Sequence, residues 1–268
     1  MSNKSISKSH QEYLSAIKRR KRSILIAQIG ILILTLVLWE VAANFRWIDP
    51  FIVSSPSRIV KLFIEYATNG NLHKHVFVSL METIVGFAAG TILGLIIAIG
   101  LWWSEYWARV IDPYIVVLNS LPKTALAPII IIWVGAGYSG IIVTAISVSI
   151  VVTIMNMYNS FISTDPNKIK LLKTFGASKP QILKKLVLPA SIPNLIGTLK
   201  ISIGLSWVGV IIGEFLVSKA GIGYLIVYGS QVFKVDIVMM GVVILAIICA
   251  LMYTIIASIE KHFIKWIE

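Results

Sequence analysis

Long apolar segments recur six times along the chain and are separated by short polar segments. These segments comprise residues 24–43, 76–103, 114–134, 141–161, 195–216 and 237–259. A helix of about 20 apolar residues is long enough to cross the hydrocarbon core of a bilayer. The pattern therefore predicts an all-α fold, that of a polytopic membrane protein with about six transmembrane helices.

Two prolines and a lysine interrupt the third apolar segment. Pro122 and Pro128 each remove an intrahelical hydrogen bond, which predicts a kinked or locally unwound helix. Irregular backbone at membrane depth occurs where protein buries it or where it lines a cavity. Lys123 is either part of a solute pathway or a side chain that extends back to the cytoplasmic edge of the membrane. All three residues are therefore candidates for a pathway.

The lysines and arginines of the polar segments predict the orientation of the chain. With the N-terminus inside, 16 of these residues lie on the cytoplasmic side and six on the outer side. The positive-inside rule thus predicts a multi-pass membrane protein with both termini in the cytoplasm, and basic cytoplasmic loops are typical of proteins of the bacterial inner membrane. The same loops account for the net charge of +12, so the expected partner is the lipid bilayer and not nucleic acid.

The alternation of apolar and polar segments also predicts how the chain is divided. Residues 1–23 form a basic cytoplasmic tail, and the helix at 24–43 is not followed by a small-residue cleavage pattern, which favours an uncleaved first span. The other predicted regions are an extracytoplasmic loop with an interfacial helix at 44–75, a transmembrane core at 76–259 with a cytoplasmic loop at 162–194, and a cytoplasmic tail at 260–268.

The longest basic stretch within the core, residues 165–193, has the pattern of two short helices joined by a tight turn. Its first residue is an aspartate followed by proline, which is typical of a helix start. Gly176 favours the left-handed turn that ends the first helix. Ser178 and Gln181 have capping-box spacing for the second helix. Pro189 predicts that this second helix ends shortly before the proline.

This stretch resembles the cytoplasmic coupling loop of binding-protein-dependent ABC transporter permeases. The resemblance rests on a glycine followed at fixed spacing by three further positions, here Gly176, Leu186, Leu188 and Pro189. The Glu-Ala-Ala triplet of that family is absent, since its positions hold Lys170, Leu171 and Leu172. The sequence after the loop resembles the sulfonate, nitrate and taurine branch, with the MetI-like transmembrane domain, at Pro193, Gly197, Leu199, Trp207 and Glu214.

The resemblance implies the permease subunit of an ABC importer, which is not an enzyme. It implies four kinds of partner: a cytoplasmic ABC ATPase dimer, a second permease subunit in a homodimer, an extracytoplasmic solute-binding protein and the bilayer. ATP would be hydrolysed by the partner subunits, and this chain would bind no cofactor. The implied ATPase-coupling residues are Gly176, Ala177, Ser178, Leu186, Leu188 and Pro189. Trp207 and Glu214 join the three residues of the third segment as candidate pathway or gate residues.

Other charged and small residues in the apolar segments have simpler expectations. Glu82 and Lys200 lie near span ends, where solvation is expected. Glu214 serves either helix-to-helix hydrogen bonding or a gate, and the sequence leaves both open. The glycines of the second segment are spaced by four residues, which predicts close packing of a neighbouring helix. These are Gly86, Gly90 and Gly94, with a looser set at Gly204, Gly209 and Gly213.

Enzymatic and cofactor motifs give no competing interpretation. The glycines of residues 135–140 match G-x-G-x-x-G, but they join two membrane spans and lack the βαβ context of a dinucleotide site. The sequence has no Walker A motif, and His73 and His75 are expected to be solvated and not metal ligands. The expected solute is a small anion of the sulfonate, nitrate or taurine type, with a pyrimidine-type vitamin precursor as the alternative. A stand-alone secondary transporter or channel is the alternative function.

Overall fold

Helices make up the regular structure of the chain. The computed structural model describes residues 8–68 and 71–263, with side chains for 13–68 and 71–260, and these ranges contain no β-strand. In chain order the α-helices are α1 (Lys8–Asn44), α2 (Pro50–Val53), α3 (Pro56–Thr68), α4 (Asn71–Trp103), α5 (Glu105–Ser120), α6 (Lys123–Val134), α7 (Tyr138–Ile162), α8 (Pro166–Thr174), α9 (Lys179–Ile182), α10 (Leu188–Ala190), α11 (Ile192–Val217), α12 (Ile222–Gln231) and α13 (Val235–Phe263). A π-helical turn, Leu183–Val187, joins α9 to α10. The predicted all-α fold is confirmed.

Five of these helices are long and apolar enough to cross a membrane, namely α1, α4, α7, α11 and α13. The pair α5 and α6 meets the same criterion only when taken together, and its two members are bent by 101° at a short break. The described chain therefore has five unbroken candidate spans, or six when the bent pair is counted as one broken span, which agrees with the prediction of about six.

The helix α7 packs against both α4 and α11, and small residues bring α4 and α7 together. A Cβ atom placed on Gly86 of α4 would lie 2.7 Å from Cβ of Ala145, and one on Gly94 would lie 2.8 Å from Cβ of Thr153. Gly90 faces Ser149 in the same way. These distances are too short for any side chain, so the prediction of close packing along this glycine stripe is confirmed.

The contact between α11 and α7 uses two of the three glycines predicted for it. A Cβ atom on Gly209 would lie 2.5 Å from Cα of Ala145, and one on Gly213 would lie 3.0 Å from Cα of Ile141. Gly204 has no such neighbour within 4 Å, so its predicted packing role is wrong. The residue is exposed.

The broken span has one break and not two. The helix α5 ends at Ser120, and α6 begins again after Leu121 and Pro122. Pro128 was also predicted to disrupt the helix, but it lies inside α6, where the helix continues to Val134. The missing N–H of one proline removes a single intrahelical bond, and the helix continues through it.

The basic stretch forms the two predicted helices and their turn. The Asp165 side chain accepts a hydrogen bond from the Asn167 N–H at 2.9 Å and caps α8. Gly176 has φ of +76°. The Ser178 N–H donates to Oε1 of Gln181 at 2.7 Å, within the predicted capping box. These local predictions are confirmed.

The end of the second helix differs from its prediction. Leu188 is helical, with φ −61° and ψ −49°, and the chain stays helical through Pro189 to Ala190. The N–H of Leu188 donates to the carbonyl of Leu183, five residues earlier. This π turn takes up one extra residue, so the chain passes the proline without ending the helix.

The segment between α1 and α4 is held by hydrogen bonds and an ion pair at two points. The Glu40 carboxylate near the end of α1 accepts hydrogen bonds from the Ser57 N–H at 2.9 Å and the Ser57 hydroxyl at 2.8 Å. Arg58 of α3 pairs with Asp236 of α13 at 2.8 Å. Ile59 of α3 is buried against α12 and α13. The segment is therefore attached to the helical core by α13 as well as by α1.

Candidate functional site

The basic stretch has one anchored face and one exposed face. On the anchored face Ile182 and Val187 are buried beside Phe161 of α7. On the exposed face the Phe175 side chain is 78% exposed and Leu171 is 56% exposed. We refer to residues 165–190 below as the coupling stretch. Its exposed face combines apolar side chains with lysines, a combination suited to contact with another protein.

A lysine fastens the coupling stretch to the end of α4. Nζ of Lys179 donates a hydrogen bond to the carbonyl oxygen of Trp103 at 2.5 Å. The same ammonium lies 5.6 Å from the ring centre of Trp102, within cation–π range. Movement of the stretch as a unit would therefore be passed to α4 as well as to α7.

The coupling residues predicted from the sequence lie in two positions. Gly176 and Ser178 are exposed at the turn, and Ala177 beside them is half-buried. The other three, Leu186, Leu188 and Pro189, are half-buried on the second helix. The deeper anchor Val187 was missed, because the π turn shifts which side chains face the membrane helices and no sequence pattern indicates that turn.

Lys123 lies at the break between α5 and α6, where it caps a helix end. Its Nζ donates to the Asn119 carbonyl oxygen at 2.7 Å and lies 3.4 Å from Oδ1 of the same residue. A cation at the C-terminus of a helix satisfies free carbonyls and interacts favourably with the helix dipole. The half-buried lysine thus stabilises the end of α5.

Trp207 is a packing residue of α11. It is 3% exposed, and its Nε1–H donates to the Met252 sulfur of α13 at 3.2 Å. Together with Pro122, Lys123, Pro128 and Glu214 it was a candidate for the pathway. None of these five residues lines the two polar cavities described below.

Glu214 lies at the meeting point of α4, α11 and α12. It is 1% exposed, and its carboxylate accepts hydrogen bonds from the Ser79 hydroxyl and the Gly223 N–H, both at 2.5 Å. The Ser79 oxygen in turn accepts the Ile222 N–H at 2.7 Å. The helix-to-helix bonding that the sequence left open for Glu214 is present.

His75 completes this polar cluster, in contrast to the expectation that it is solvated. Its Nδ1 accepts the Gly221 N–H at 3.0 Å, and its ring stacks on Tyr224 with 5.7 Å between ring centres. The side chain is half-buried because α12 folds back over the outer end of α4. Ser79 and His75 were missed as partners of α12, since each acts across more than 140 residues of sequence.

Two charged residues expected to be solvated have different environments. Glu82 is 2% exposed and lies beside Glu214, so the expectation for Glu82 was wrong. Lys200 keeps part of its side chain exposed, at 19%, and pairs with Glu260 at 2.5 Å. Neither neighbour was foreseen, because each comes from a helix that is distant in sequence.

Two polar cavities lie at opposite ends of α7 and α11, and we name them outer and inner after the membrane orientation predicted from the charged loops. The outer cavity has a volume of about 460 Å³, and its polar lining includes Lys74, Glu82, Tyr138 and Lys219. The inner groove has a volume of about 340 Å³ and is lined by uncharged polar side chains. These are Asn156, Asn159, Ser160, Ser163, Asn194 and Thr198. Polar side chains on membrane helices typically face a bundle interior or a water-filled cavity, so both sites are candidates for solute contact.

Comparison with known proteins gives a consistent result. The profile of the family described as "Binding-protein-dependent transport system inner membrane component" matches residues 90–267. The putative aliphatic sulfonates transport permease protein SsuC of Bacillus subtilis is 27% identical over 232 residues, which cover 86% of this chain and 84% of that protein. The formylaminopyrimidine transport permease protein ThiX of Halalkalibacterium halodurans is 27% identical over 235 residues, which cover 87% of this chain and 93% of ThiX.

A solved structure has the same fold. A chain of the MetNI methionine ABC transporter in an inward-facing conformation superimposes with a TM-score of 0.64 at 18% identity. The match covers 70% of this chain and 94% of that one.

Proposed function

The chain belongs to the family of binding-protein-dependent transport system inner membrane components, and we propose that it carries a small anion of the sulfonate, nitrate or taurine type. It is the membrane permease subunit of an ABC importer and not an enzyme, and the ATPase is a separate subunit. The proposed anion is supported by Lys74 and Lys219, which line the outer cavity. It is also supported by similarity to SsuC and to the taurine transport system permease protein TauC of Escherichia coli, which is 23% identical.

The inner groove supports a second candidate solute. Its amide and hydroxyl groups carry no charge and suit a neutral heterocycle that both donates and accepts hydrogen bonds. Similarity to ThiX, a formylaminopyrimidine permease, supports the same candidate.

Uptake by cells that express the importer tests both candidates. We would measure uptake of labelled taurine, ethanesulfonate and formylaminopyrimidine in wild type, in a Lys74→Gln/Lys219→Gln double variant, and in an Asn156→Leu variant. Selective loss of sulfonate uptake in the lysine variant supports the anion. If wild type takes up only formylaminopyrimidine and the Asn156→Leu variant loses that uptake, the anion proposal is overturned.

The ATPase subunits are proposed to bind the coupling stretch at its exposed face. Phe175 and Leu171 supply apolar contacts there, and the surrounding lysines suit an acidic rim on the partner. Gly176, Ala177 and Ser178 would shape the turn, whereas Leu186, Leu188 and Pro189 would hold the second helix on the membrane domain. When the ATPases close around ATP, the stretch would move as a unit and α5, α6 and α11 would re-pack between two arrangements.

Co-purification of the permease with its ATPase tests this contact. Phe175→Asp should abolish recovery of the ATPase, because a buried charge replaces an apolar anchor. Phe45→Asp is the matched control, since Phe45 is 70% exposed and follows directly after α1, on the predicted outer side of the membrane. Equal ATPase recovery with both variants contradicts the proposed face.

A second copy of this chain is the proposed permease partner, with a solute-binding protein at the outer side and no nucleic acid. Ile132 and Trp133 of α6, which are 79% and 81% exposed, support a protein contact there.

Trp133→Cys in a Cys249→Ser background should form a disulfide-linked dimer in membranes. The control Ile31→Cys on α1 should not, and monomer alone in both variants contradicts the homodimer. The chain itself is proposed to bind no cofactor, with ATP held by the partner subunits.

A further inference from the structure

The Glu82 carboxyl group is buried without a hydrogen-bond donor. The residue is 2% exposed, and neither side-chain oxygen has a donor among the residues that the structure describes. Both oxygens are closed off from solvent, so a solute in the outer cavity cannot touch them although the residue forms part of the cavity wall. An ionised carboxylate in such a place would be costly.

The polar neighbour of Glu82 is a second carboxyl group. Glu82 follows Ser79 by three residues on α4, and the Ser79 hydroxyl donates to Glu214 of α11 at 2.5 Å, so the two buried carboxyl groups lie beside each other across the contact between α4 and α11. Two ionised carboxylates cannot form a hydrogen bond with each other, because each is only an acceptor. A hydrogen bond can therefore join Glu82 and Glu214 only when one of the two carboxyl groups carries a proton.

The hydrogen bonds around the pair decide which group that is. Glu214 already accepts from the Ser79 hydroxyl and from the Gly223 N–H, and both bonds stabilise its ionised form. Glu82 accepts from no donor in the described part of the chain. The proton therefore belongs on Glu82.

Among the side chains that the structure describes, no cation lies where it could neutralise a second ionised carboxylate in place of this proton. Lys74 of α4 and Lys219 after α11 are exposed at the rim of the outer cavity. Nδ1 of His75 accepts a hydrogen bond from the Gly221 N–H, and the His75 ring stacks on Tyr224 of α12. On α7 the titratable side chain at the cavity is Tyr138, which is 60% exposed.

We propose that Glu82 stays protonated and donates a hydrogen bond to the Glu214 carboxylate, and that this pair positions the start of α12 between α4 and α11. Glu82 positions α12 indirectly, by orienting the Glu214 carboxylate. Glu214 accepts a hydrogen bond from the Gly223 N–H, and the Ser79 oxygen accepts one from the Ile222 N–H. Because Ser218, Lys219 and Ala220 form one wall of the outer cavity just before α12, the pair also sets the shape of that cavity. Loss of the proton would place two negative charges in contact and release α12.

Infrared spectroscopy of the purified full-length chain tests the proton directly. Wild type at neutral pH should show the C=O stretch of a protonated carboxyl group, and Glu82→Gln should lack it. Glu65→Gln, which changes an exposed glutamate of α3, should keep the band and serves as the matched control. Absence of the band in wild type, or its survival in Glu82→Gln, overturns the proposal.

The pH dependence of unfolding gives a second, independent measurement. The wild-type Tm should fall by about 4 °C or more between pH 7 and pH 9.5, because the folded chain must then bury a second negative charge beside Glu214 whereas the unfolded chain leaves it in water. Glu82→Gln keeps an N–H donor without a titrating proton, so its Tm should fall less. Glu82→Leu should be less stable than Glu82→Gln at pH 7. An equal pH dependence in wild type and Glu82→Gln, or equal stability of the Gln and Leu variants, overturns the role, whatever solute or ATPase the importer uses.

Discussion

At the scale of single residues, the contact between α4 and α7 depends on the absence of side chains on one helix. A Cβ atom at Gly94 would lie 2.8 Å from Cβ of Thr153 and 3.3 Å from the carbonyl oxygen of Ile150. The Ile150 atom belongs to the backbone and cannot move aside as a flexible side chain would. By contrast, Gly100 of the same helix has no such neighbour within 4 Å.

Gly94→Val should lower the free energy of unfolding by about 1–3 kcal/mol, because the added methyl groups force α4 and α7 apart. Gly100→Ala is the matched control, and it should leave stability unchanged or raise it, since alanine favours a helix more than glycine does. Thermal unfolding in detergent measures both. Equal Tm values for Gly94→Val and wild type would show that the helices are not in close contact.

At the scale of elements, the turn between α8 and α9 is a second place where glycine is required. Gly176 has φ of +76°, and no atom lies within 4 Å of a Cβ placed there. Any cost of a side chain at this position is therefore backbone strain and not a clash. That strain would fall on the joint between the two helices of the coupling stretch.

Gly176→Ala should weaken ATPase binding, because a left-handed alanine costs about 1–2 kcal/mol and the turn opens instead. A loss of 1.4 kcal/mol is about tenfold in the dissociation constant. Gly197→Ala in α11 is the control, since it also has no atom near its Cβ position but does not require a positive φ. Titration of the permease with its ATPase would measure the effect, and equal affinity for the two variants would argue against a structural need for Gly176.

Features that are determined by residues close together in the sequence could be predicted, whereas contacts between residues of distant helices could not. The apolar segments, the cap at Asp165 and the turn at Gly176 each depend on neighbours within a few residues. The contact of Glu82 with Glu214 and the pairing of Lys200 with Glu260 depend on which helices pack together. The π turn before Pro189 has no local pattern, because the rule for residues preceding proline favours a helix end at that place.

At the scale of the whole molecule, α7 and α11 connect the coupling stretch to the outer cavity without a break. The helix α7 begins at Tyr138, which lines the outer cavity, and ends at Ile162 beside the coupling stretch. The helix α11 starts after the stretch and ends at Val217, on the cavity wall. The two helices touch through glycines, so displacement of their inner ends is passed to their outer ends by rigid contact.

This arrangement requires the coupling stretch and α3 to lie on opposite sides of the membrane, and labelling of single cysteines tests the requirement. In a Cys249→Ser background, Lys61→Cys on α3 should react with a membrane-impermeant maleimide in intact spheroplasts, because the charge distribution places α3 outside. Lys170→Cys in the coupling stretch should react only after the membrane is opened. Both positions are exposed in the folded chain, so access to the reagent and not burial decides the result. Labelling of Lys170→Cys in intact spheroplasts would reverse the proposed orientation, and the ATPase could then not reach the coupling stretch from the cytoplasm.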